Sequence, residues 1–236
     1  MNNLTIVIPA FNEENVIEST LNRVVNYCTQ NNINYEILVV DDGSTDKTCE
    51  IVNTFEHTNT RLIRNAQNRG KGFSVKTGVL ASSMPNILFM DADFSTPIQE
   101  IEKLQKHIDA HDIVIGSRKV DDGEVAKSQP KWKQFLGNIG NLLIKKSLNL
   151  PYKDTQCGFK LLKENNKKVF EVMSIDRWGF DFELLFLAHM EDLKVKECGV
   201  TWMNNEDSKV KFMDYFNTVL DIIRIRSNHR RGKYKL

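Results

Sequence analysis

The sequence predicts an α/β fold in which helices cover both faces of a mostly parallel sheet, and three observations lead to this prediction. Short apolar runs alternate with longer amphipathic segments along most of the chain. Clusters of polar residues directly follow the apolar runs, as at a binding edge of such a sheet. The composition, 41% hydrophobic and 27% charged residues in 236, is that of a globular protein with a sizeable core.

Five apolar runs are predicted to be strands, and the segments between them are predicted to be helices. In chain order the strands are LTIVIP, YEILVV, RLIR, NILFM and DIVIG. The helices are expected over residues 15–30, from about residue 46, from about residue 72 and over 97–110. This β-α-β alternation favours parallel strands. The polar stretch 120–129 has no periodicity and is predicted to be a mobile loop.

The apolar runs also limit where the protein acts. None approaches the roughly 20 residues that span a bilayer, and the N-terminal MNNLTIVIP has neither a basic region nor a cleavage site. We therefore expect a cytoplasmic protein that works at the inner face of a membrane. The four cysteines lack metal-binding or C-x-x-C spacing, so we expect buried, reduced thiols.

The chain divides into a body, residues 1–208, and a basic tail, residues 209–236. The tail has eight Lys or Arg residues against two Asp residues, a net charge of +6, within a chain whose net charge is +1. Apolar residues recur in the tail at helical spacing, at Phe212, Phe216, Val219, Leu220 and Ile223. This pattern favours an interfacial helix on an anionic membrane surface over a nucleic-acid contact. The alternative is a helix that packs on the body, on a partner membrane protein or in a homo-oligomer.

Polar clusters follow the first four predicted strands. The residues are Pro9, Asn12 and Glu13, then Asp41 and Asp42, then 68–72, then Asp91 and Asp93. The carboxyl ends of parallel strands meet at one edge of a sheet, so these clusters are expected to form one site.

The residue types in these clusters indicate nucleotide recognition around a divalent ion. Asp91 and Asp93 supply the hard oxygen ligands with which Mg²⁺ or Mn²⁺ binds a diphosphate. Arg69 and Lys71, between flexible glycines at the start of a helix, suit phosphate binding. The G-x-x-x-x-G-K-[ST] spacing is absent, so P-loop hydrolysis is not expected.

Five motifs resemble those of the family 2 glycosyltransferases, inverting enzymes with the Rossmann-like GT-A fold. They are VIPAFNEE at 7–14, VVDDGSTDKT at 39–48, NRGKGFSVKTG at 68–78, MDADFSTP at 90–97 and GSR at 116–118. Two further stretches, DTQCGFKLL at 154–162 and RWGFDFELLFLA at 177–188, resemble the subgroup that makes dolichyl- or polyprenyl-phosphate glucose from a UDP-sugar.

The resemblance implies roles for individual residues. The nucleotide would contact Pro9, Ala10, Glu13, Asp42, Lys71 and Asp91, and the metal would bind Asp91 and Asp93, with Asp93 the more direct ligand. The acceptor would contact Arg118, Thr155, Gln156 and Lys160. The catalytic candidates are Asp93, Arg118 and Asp181.

The implied reaction is inverting transfer of glucose from UDP-glucose to a polyprenyl or dolichyl phosphate. A phosphate acceptor is already largely dianionic at neutral pH and needs no general base. If the acceptor is instead a sugar hydroxyl of a surface glycan, Asp181 or Glu183 is the candidate base; otherwise these residues orient the sugar or pair with Arg177. A second alternative is a binding module for nucleotide-sugars or nucleic acid without catalysis.

Overall fold

The structure is a computed structural model. It describes residues 3–55, 57, 59–120, 124–127, 131–203 and 212–235, with the backbone alone for 124–127, 131–133, 136 and 212–215. The strands in these ranges are β1 Asn3–Ala10, β2 Asn34–Asp41, β3 Thr60–Arg64, β4 Asn86–Met90, β5 Ile113–Ser117, β6 Glu124–Lys127, β7 Phe159–Lys163, β8 Val195–Gly199 and β9 Thr201–Met203. The α-helices are α1 Ile17–Gln30, α2 Thr48–Thr54, α3 Lys71–Ala81, α4 Ile101–Ile108, α5 Lys131–Leu148, α6 Lys167–Val172, α7 Phe180–Met190 and α8 Phe212–Arg230.

Seven strands form one mostly parallel sheet in the order β3-β2-β1-β4-β7-β5-β8. The five predicted strands are confirmed as β1 to β5. The exception to parallel pairing is β7, which runs antiparallel to both β4 and β5. Met90, at the end of β4, pairs with Phe159, at the start of β7. The chain therefore enters β7 at the carboxyl edge of the sheet, which brings the preceding loop beside the residues that follow β4.

Helices cover both faces of the sheet, as predicted. Helices α1 and α4 pack on one face, and α3, α5, α6, α7 and α8 contribute to the core on the other. Strand side chains on both faces of the sheet are mostly apolar, because helices bury both faces. All four cysteines are free; Cys49 is partly exposed and the other three are buried.

The prediction of a loop over 120–129 is wrong for residues 124–127. These residues form β6, which pairs in parallel with β9. A strand of four residues is too short to show periodicity, and its partner lies far along the chain, so no local signal marks it. Residues 121–123 and 128–130 lie outside the described part of the chain.

The predicted tail helix is present as α8, and it packs on the body through one face. Ile222 and Ile225 are buried in the core, while Phe216, Leu220 and Ile223 are exposed. The predicted apolar stripe is thus the outward face. The boundary between residues 208 and 209 lies outside the described residues, so the domain division stays a prediction. Within the described ranges, no helix is both long enough and apolar enough to cross a membrane.

Candidate active site

The polar clusters predicted from the sequence meet at the carboxyl edge of the sheet. They follow β1, β2, β3 and β4, and these strands are mutually parallel neighbours. Pro9 and Ala10 are the last two residues of β1 and are buried. Glu13 lies in the next turn, where its N–H donates to Thr48 Oγ1 over 2.8 Å. The loops after β1 and β2 are therefore joined into one wall of the site.

Asp42 holds the loop that leads into α3. Its carboxylate accepts hydrogen bonds from the N–H groups of Arg69 and Gly70, over 3.0 and 2.7 Å, and from Asn65 Nδ2 over 3.0 Å. Both carboxylate oxygens are used in this way. Contact of Asp42 with the base or ribose stays a prediction; the contacts in the structure position the loop that leads into α3.

Lys71 is the first residue of α3, and its ammonium group lies against Asp91 Oδ1 as an ion pair. Burial by itself would lower the pKa of Lys71, but the carboxylates of Asp91 and Asp181 outweigh this effect and raise it. The ring centroid of Trp178 lies 5.5 Å from Lys71 Nζ. A permanently charged ammonium group at a helix N-terminus is suited to bind phosphate.

Asp91 and Asp93 have the properties expected of a divalent-metal site. Asp91 Oδ1 is buried, and Lys71 lies at ion-pair distance but outside hydrogen-bonding geometry. Burial and the neighbouring charge of Asp91 raise the pKa of Asp93, although the Ser95 N–H donates to Asp93 Oδ1 over 3.0 Å. Two close carboxylates destabilise each other unless a cation lies between them. In the described residues no group of three His, Cys, Asp or Glu side chains forms.

Gly158 leaves room for the carboxylate of Asp91, a predicted metal ligand, because it has no side chain. A β-carbon at this position would overlap the carboxylate of Asp91. We expect Gly158→Ala to displace Asp91 and to lower the rate of sugar transfer roughly tenfold to a hundredfold, because small misplacements are costly in catalysis. Gly137→Ala in α5 is the control, since nothing lies within 4 Å of a β-carbon there. A transfer rate equal to that of the control would contradict this role.

Arg118 is held in place by a buried acid. Its Nε donates to Asp154 Oδ2 over 2.7 Å and its Nη2 to Asp154 Oδ1 over 2.9 Å. Burial disfavours the charged carboxylate, but the Arg118 guanidinium outweighs it and lowers the pKa of Asp154. The Arg118 side chain keeps 27% of its surface exposed. This rigid, partly exposed cation is compatible with the predicted contact to a phosphate.

The three other predicted acceptor residues have unequal access to the site. Gln156 is partly exposed. Thr155 is buried, and its hydroxyl donates to Asn141 Oδ1 over 2.9 Å. Lys160 is fully buried in β7, where its ammonium group donates to the carbonyl of Cys157 over 2.5 Å and to Asp181. Thr155 and Lys160 thus support the loop that carries Gln156, and direct acceptor contact stays a prediction for all three.

Asp181 and Glu183 are buried in the first turn of α7 and have partners other than Arg177. The carboxylate of Asp181 accepts from Lys160. Glu183 accepts from the N–H groups of Ser174 and Ile175 and, over 2.6 Å, from the hydroxyl of Tyr234. Glu183 therefore fixes a loop, and the surroundings of Asp181 are those of a charge partner. A role as general base stays a prediction for either residue.

Sequence reasoning missed three supporting residues: Asp154, Asn141 and Trp178. Asp154 begins the stretch DTQCG, and its partner Arg118 lies far away in the sequence. The one available signal was that an arginine predicted to lie in the site is expected to pair with a carboxylate. Asn141 lies in a mostly apolar helical segment, and Trp178 follows Arg177 in the stretch RWGFDFELLFLA, so no local signal shows what either residue contacts.

The fold resembles that of sugar-transfer enzymes whose structures have been solved. Glucosyl-3-phosphoglycerate synthase from Mycobacterium tuberculosis, in complex with Mg²⁺ and UDP, superposes with a TM-score of 0.70 at 14% identity, covering 95% of this chain and 79% of that one. Mannosyl-3-phosphoglycerate synthase from Rubrobacter xylanophilus gives 0.65 at 13% identity, covering 100% and 76%. The mostly parallel sheet with helices on both faces is therefore a GT-A fold.

The sequence comparisons identify the family. Residues 5–170 match the family model described as Glycosyl transferase family 2. A dolichyl-phosphate beta-glucosyltransferase from Dictyostelium discoideum is 34% identical, over 99% of this chain and 76% of that protein. The protein of the same name from Mus musculus is 32% identical, over 99% and 78%. This chain belongs to glycosyl transferase family 2.

Proposed function

We propose that this protein transfers glucose from UDP-glucose, with inversion, to a polyprenyl or dolichyl phosphate at a membrane surface. The observation that carries the proposal is the cluster of Lys71, Asp91 and Asp93 at the carboxyl edge of the sheet. The names of the curated relatives support glucose as the sugar and dolichyl phosphate as the acceptor.

The residues of this chain act mainly by position and charge. A divalent ion bound by Asp91 and Asp93 would neutralise charge on the leaving diphosphate. Lys71, released from Asp91, would bind a diphosphate oxygen and stabilise the same charge. The hydrogen bonds of Asp42 to the N–H groups of Arg69 and Gly70 fix the loop that leads into Lys71, which supports a role for this lysine on the donor side.

The acceptor phosphate would approach from the opposite side, between Arg118 and Gln156. Arg118 is suited to orient it, because the bidentate contact with Asp154 fixes the guanidinium plane. The acceptor needs no base, because its second pKa is about 6. The pairing of Asp181 with Lys160 accords with a reaction in which proton abstraction has no part.

A donor and acceptor screen tests the proposal directly. The purified protein, with Mg²⁺ or Mn²⁺, would be incubated with several nucleotide-sugars and a short-chain polyprenyl phosphate, and the products identified by mass spectrometry. We expect a hexosyl polyprenyl phosphate, formed fastest from UDP-glucose. Saturable transfer to soluble sugars without lipid would favour the hydroxyl acceptor instead, and UDP binding without transfer to any acceptor would favour a binding module.

Lys71 offers a specific test of the donor site. We expect Lys71→Ala to weaken binding of UDP and UDP-glucose roughly tenfold or more, and to change uridine binding little, because the lost partner is phosphate. Isothermal titration calorimetry with the three ligands measures this difference. Lys106→Ala, at an exposed position of α4, is the control. An equal loss of affinity for uridine would contradict the assignment.

The proposal includes peripheral attachment to a membrane through residues 209–236. The basic residues of this tail favour an anionic surface, at roughly 1 kcal/mol for each residue near the headgroups. The described part of α8 supports this attachment because its predicted apolar stripe points away from the core. Attachment at the inner face of the membrane would give a cytoplasmic protein access to a lipid-linked acceptor.

A further inference from the structure

Exposed apolar side chains are concentrated on two neighbouring helices. Of the eleven large hydrophobic residues that are exposed in the described part of the chain, eight lie on α5 or α8. They are Phe135, Ile139, Leu142 and Leu143 on α5, and Phe216, Val219, Leu220 and Ile223 on α8. The two helices contact each other. An exposed patch of this kind marks an interaction surface, since isolated exposed residues would be scattered.

The fold fixes the orientation of both helices, so this patch faces outward. On α5 the buried residues are Asn141, Ile144 and Leu148, and on α8 they include Ile222 and Ile225. With 3.6 residues per turn, these positions lie opposite the exposed apolar residues. Neither helix can turn its apolar face inward without losing its own core contacts. We refer to the eight exposed residues as the α5/α8 face.

Positive charge borders the α5/α8 face. Helix α5 has four lysines and no acidic residue, and Lys146 is exposed within the same stripe. On α8, Arg226 and Arg230 lie along one side of the stripe and Arg224 along the other, and all three are exposed. Apolar side chains bordered by long basic ones match a bilayer surface with anionic headgroups, where Lys and Arg extend toward the phosphates.

Helix α5 is joined to the loop on the acceptor side of the site. The buried amide of Asn141 donates to the carbonyl of Lys153 over 2.8 Å and accepts from the N–H of Thr155 over 3.1 Å. The same loop supplies Asp154, which holds Arg118, and Gly158, which packs on Asp91. One face of α5 thus points outward, and the other holds the acceptor loop.

Helix α8 is joined in the same way to the loop before α7. Asn228 Nδ2 donates to Ser174 Oγ over 2.9 Å, and Asp221 packs directly on Gly179. This loop carries Trp178, which lies beside Lys71. The two helices of the α5/α8 face therefore hold the two loops that border the Lys71–Asp91 pair.

We propose that α5 and α8 together form a docking face for an anionic lipid bilayer. The face includes α5, which lies outside the basic tail. Docking through this face would bring the loop held by Asn141 close to the lipid headgroups, where the phosphate of a membrane-embedded acceptor lies. The choice of acceptor and the attachment through α8 rest on the proposed function, whereas the part played by α5 does not. Lipid binding can therefore be measured without donor, metal or acceptor.

The test is sedimentation of the full-length protein with vesicles of phosphatidylcholine that contain phosphatidylglycerol. We expect binding to anionic vesicles that weakens with added salt, because salt screens the Lys and Arg contribution. Two variants remove apolar area from one helix each: Ile139→Gln with Leu142→Gln, and Leu220→Gln with Ile223→Gln. Each is expected to reduce vesicle binding roughly tenfold or more. The matched control, Leu80→Gln with Met190→Gln, replaces exposed apolar residues elsewhere and should bind like the unchanged protein.

Transfer assays connect docking with the reaction. Both face variants should lose activity on a long-chain polyprenyl phosphate in vesicles, and should keep activity on a short, water-soluble acceptor. The proposal is overturned if the protein does not sediment, or if salt has no effect. It is also overturned if the α5 variant binds vesicles as the control does, or if the face variants convert an oligomer to monomers, which would assign the face to a second copy of the chain. Vesicle binding without any sugar transfer would refute the proposed function and leave the docking face intact.

Discussion

Asp93→Asn is expected to reduce sugar transfer by roughly three orders of magnitude, while thermal stability stays equal or rises slightly. The loss follows because an amide is a weak ligand for Mg²⁺ or Mn²⁺ and leaves the charge of the diphosphate uncompensated. Stability does not fall because burial and Asp91 already make the charged form of Asp93 costly, as its raised pKa indicates. Initial rates at saturating metal, together with the melting temperature, measure both effects.

Asp192→Asn is the matched control for this experiment. Asp192 is exposed and has a φ of 52°, a conformation that Asn adopts readily. Its transfer rate and melting temperature should equal those of the unchanged protein. Near-normal transfer by Asp93→Asn, with metal still required, would remove Asp93 from the mechanism.

Lys160→Met is expected to cause the largest loss of stability among these variants, about 3–5 kcal/mol. Lys160 is fully buried, and its removal leaves the carboxylate of Asp181 buried beside an apolar side chain. A loss of this size should lower the melting temperature by roughly 10 °C or more. Lys106→Met, at an exposed position of α4, should change stability by no more than about 0.5 kcal/mol.

The double variant Lys160→Met with Asp181→Leu separates structure from catalysis. With both charges gone, we expect most of the lost stability to return, because a buried ion pair and an apolar pair of similar volume are often equally stable. Removal of a general base lowers the rate of transfer roughly a hundredfold or more. If Asp181 serves only as the partner of Lys160, the transfer rate of the double variant should fall by less than this. A stable double variant with a larger loss, and an altered pH profile of kcat, would identify Asp181 as a base. If the double variant is as unstable as Lys160→Met, the unpaired carboxylate of Asp181 is not the cause of the lost stability.

The sequence was sufficient to predict the parallel strands and the edge of the sheet at which the polar clusters meet. Strands such as β2 and β4 are local apolar runs, and a polar residue directly after a strand must lie at its carboxyl end. Asp42, Lys71, Asp91 and Asp93 were therefore predictable as neighbours, because parallel β-α-β topology brings such ends to one edge. The five motifs that resemble family 2 all lie within residues 5–170, which match the family model.

Only the tertiary structure determined what these residues bind within the protein. The local sequence shows Lys160 only as a polar residue in an apolar run. Because β7 runs antiparallel between β4 and β5, the ammonium group of Lys160 is buried against Asp181 on α7. The tail was predicted as an amphipathic helix, yet its outward apolar face depends on the burial of Ile222 and Ile225 in the core, where α8 contacts α5. Periodicity along one helix shows that an apolar stripe exists. Whether that stripe is covered or exposed depends on packing between elements far apart in sequence, and no local pattern records it.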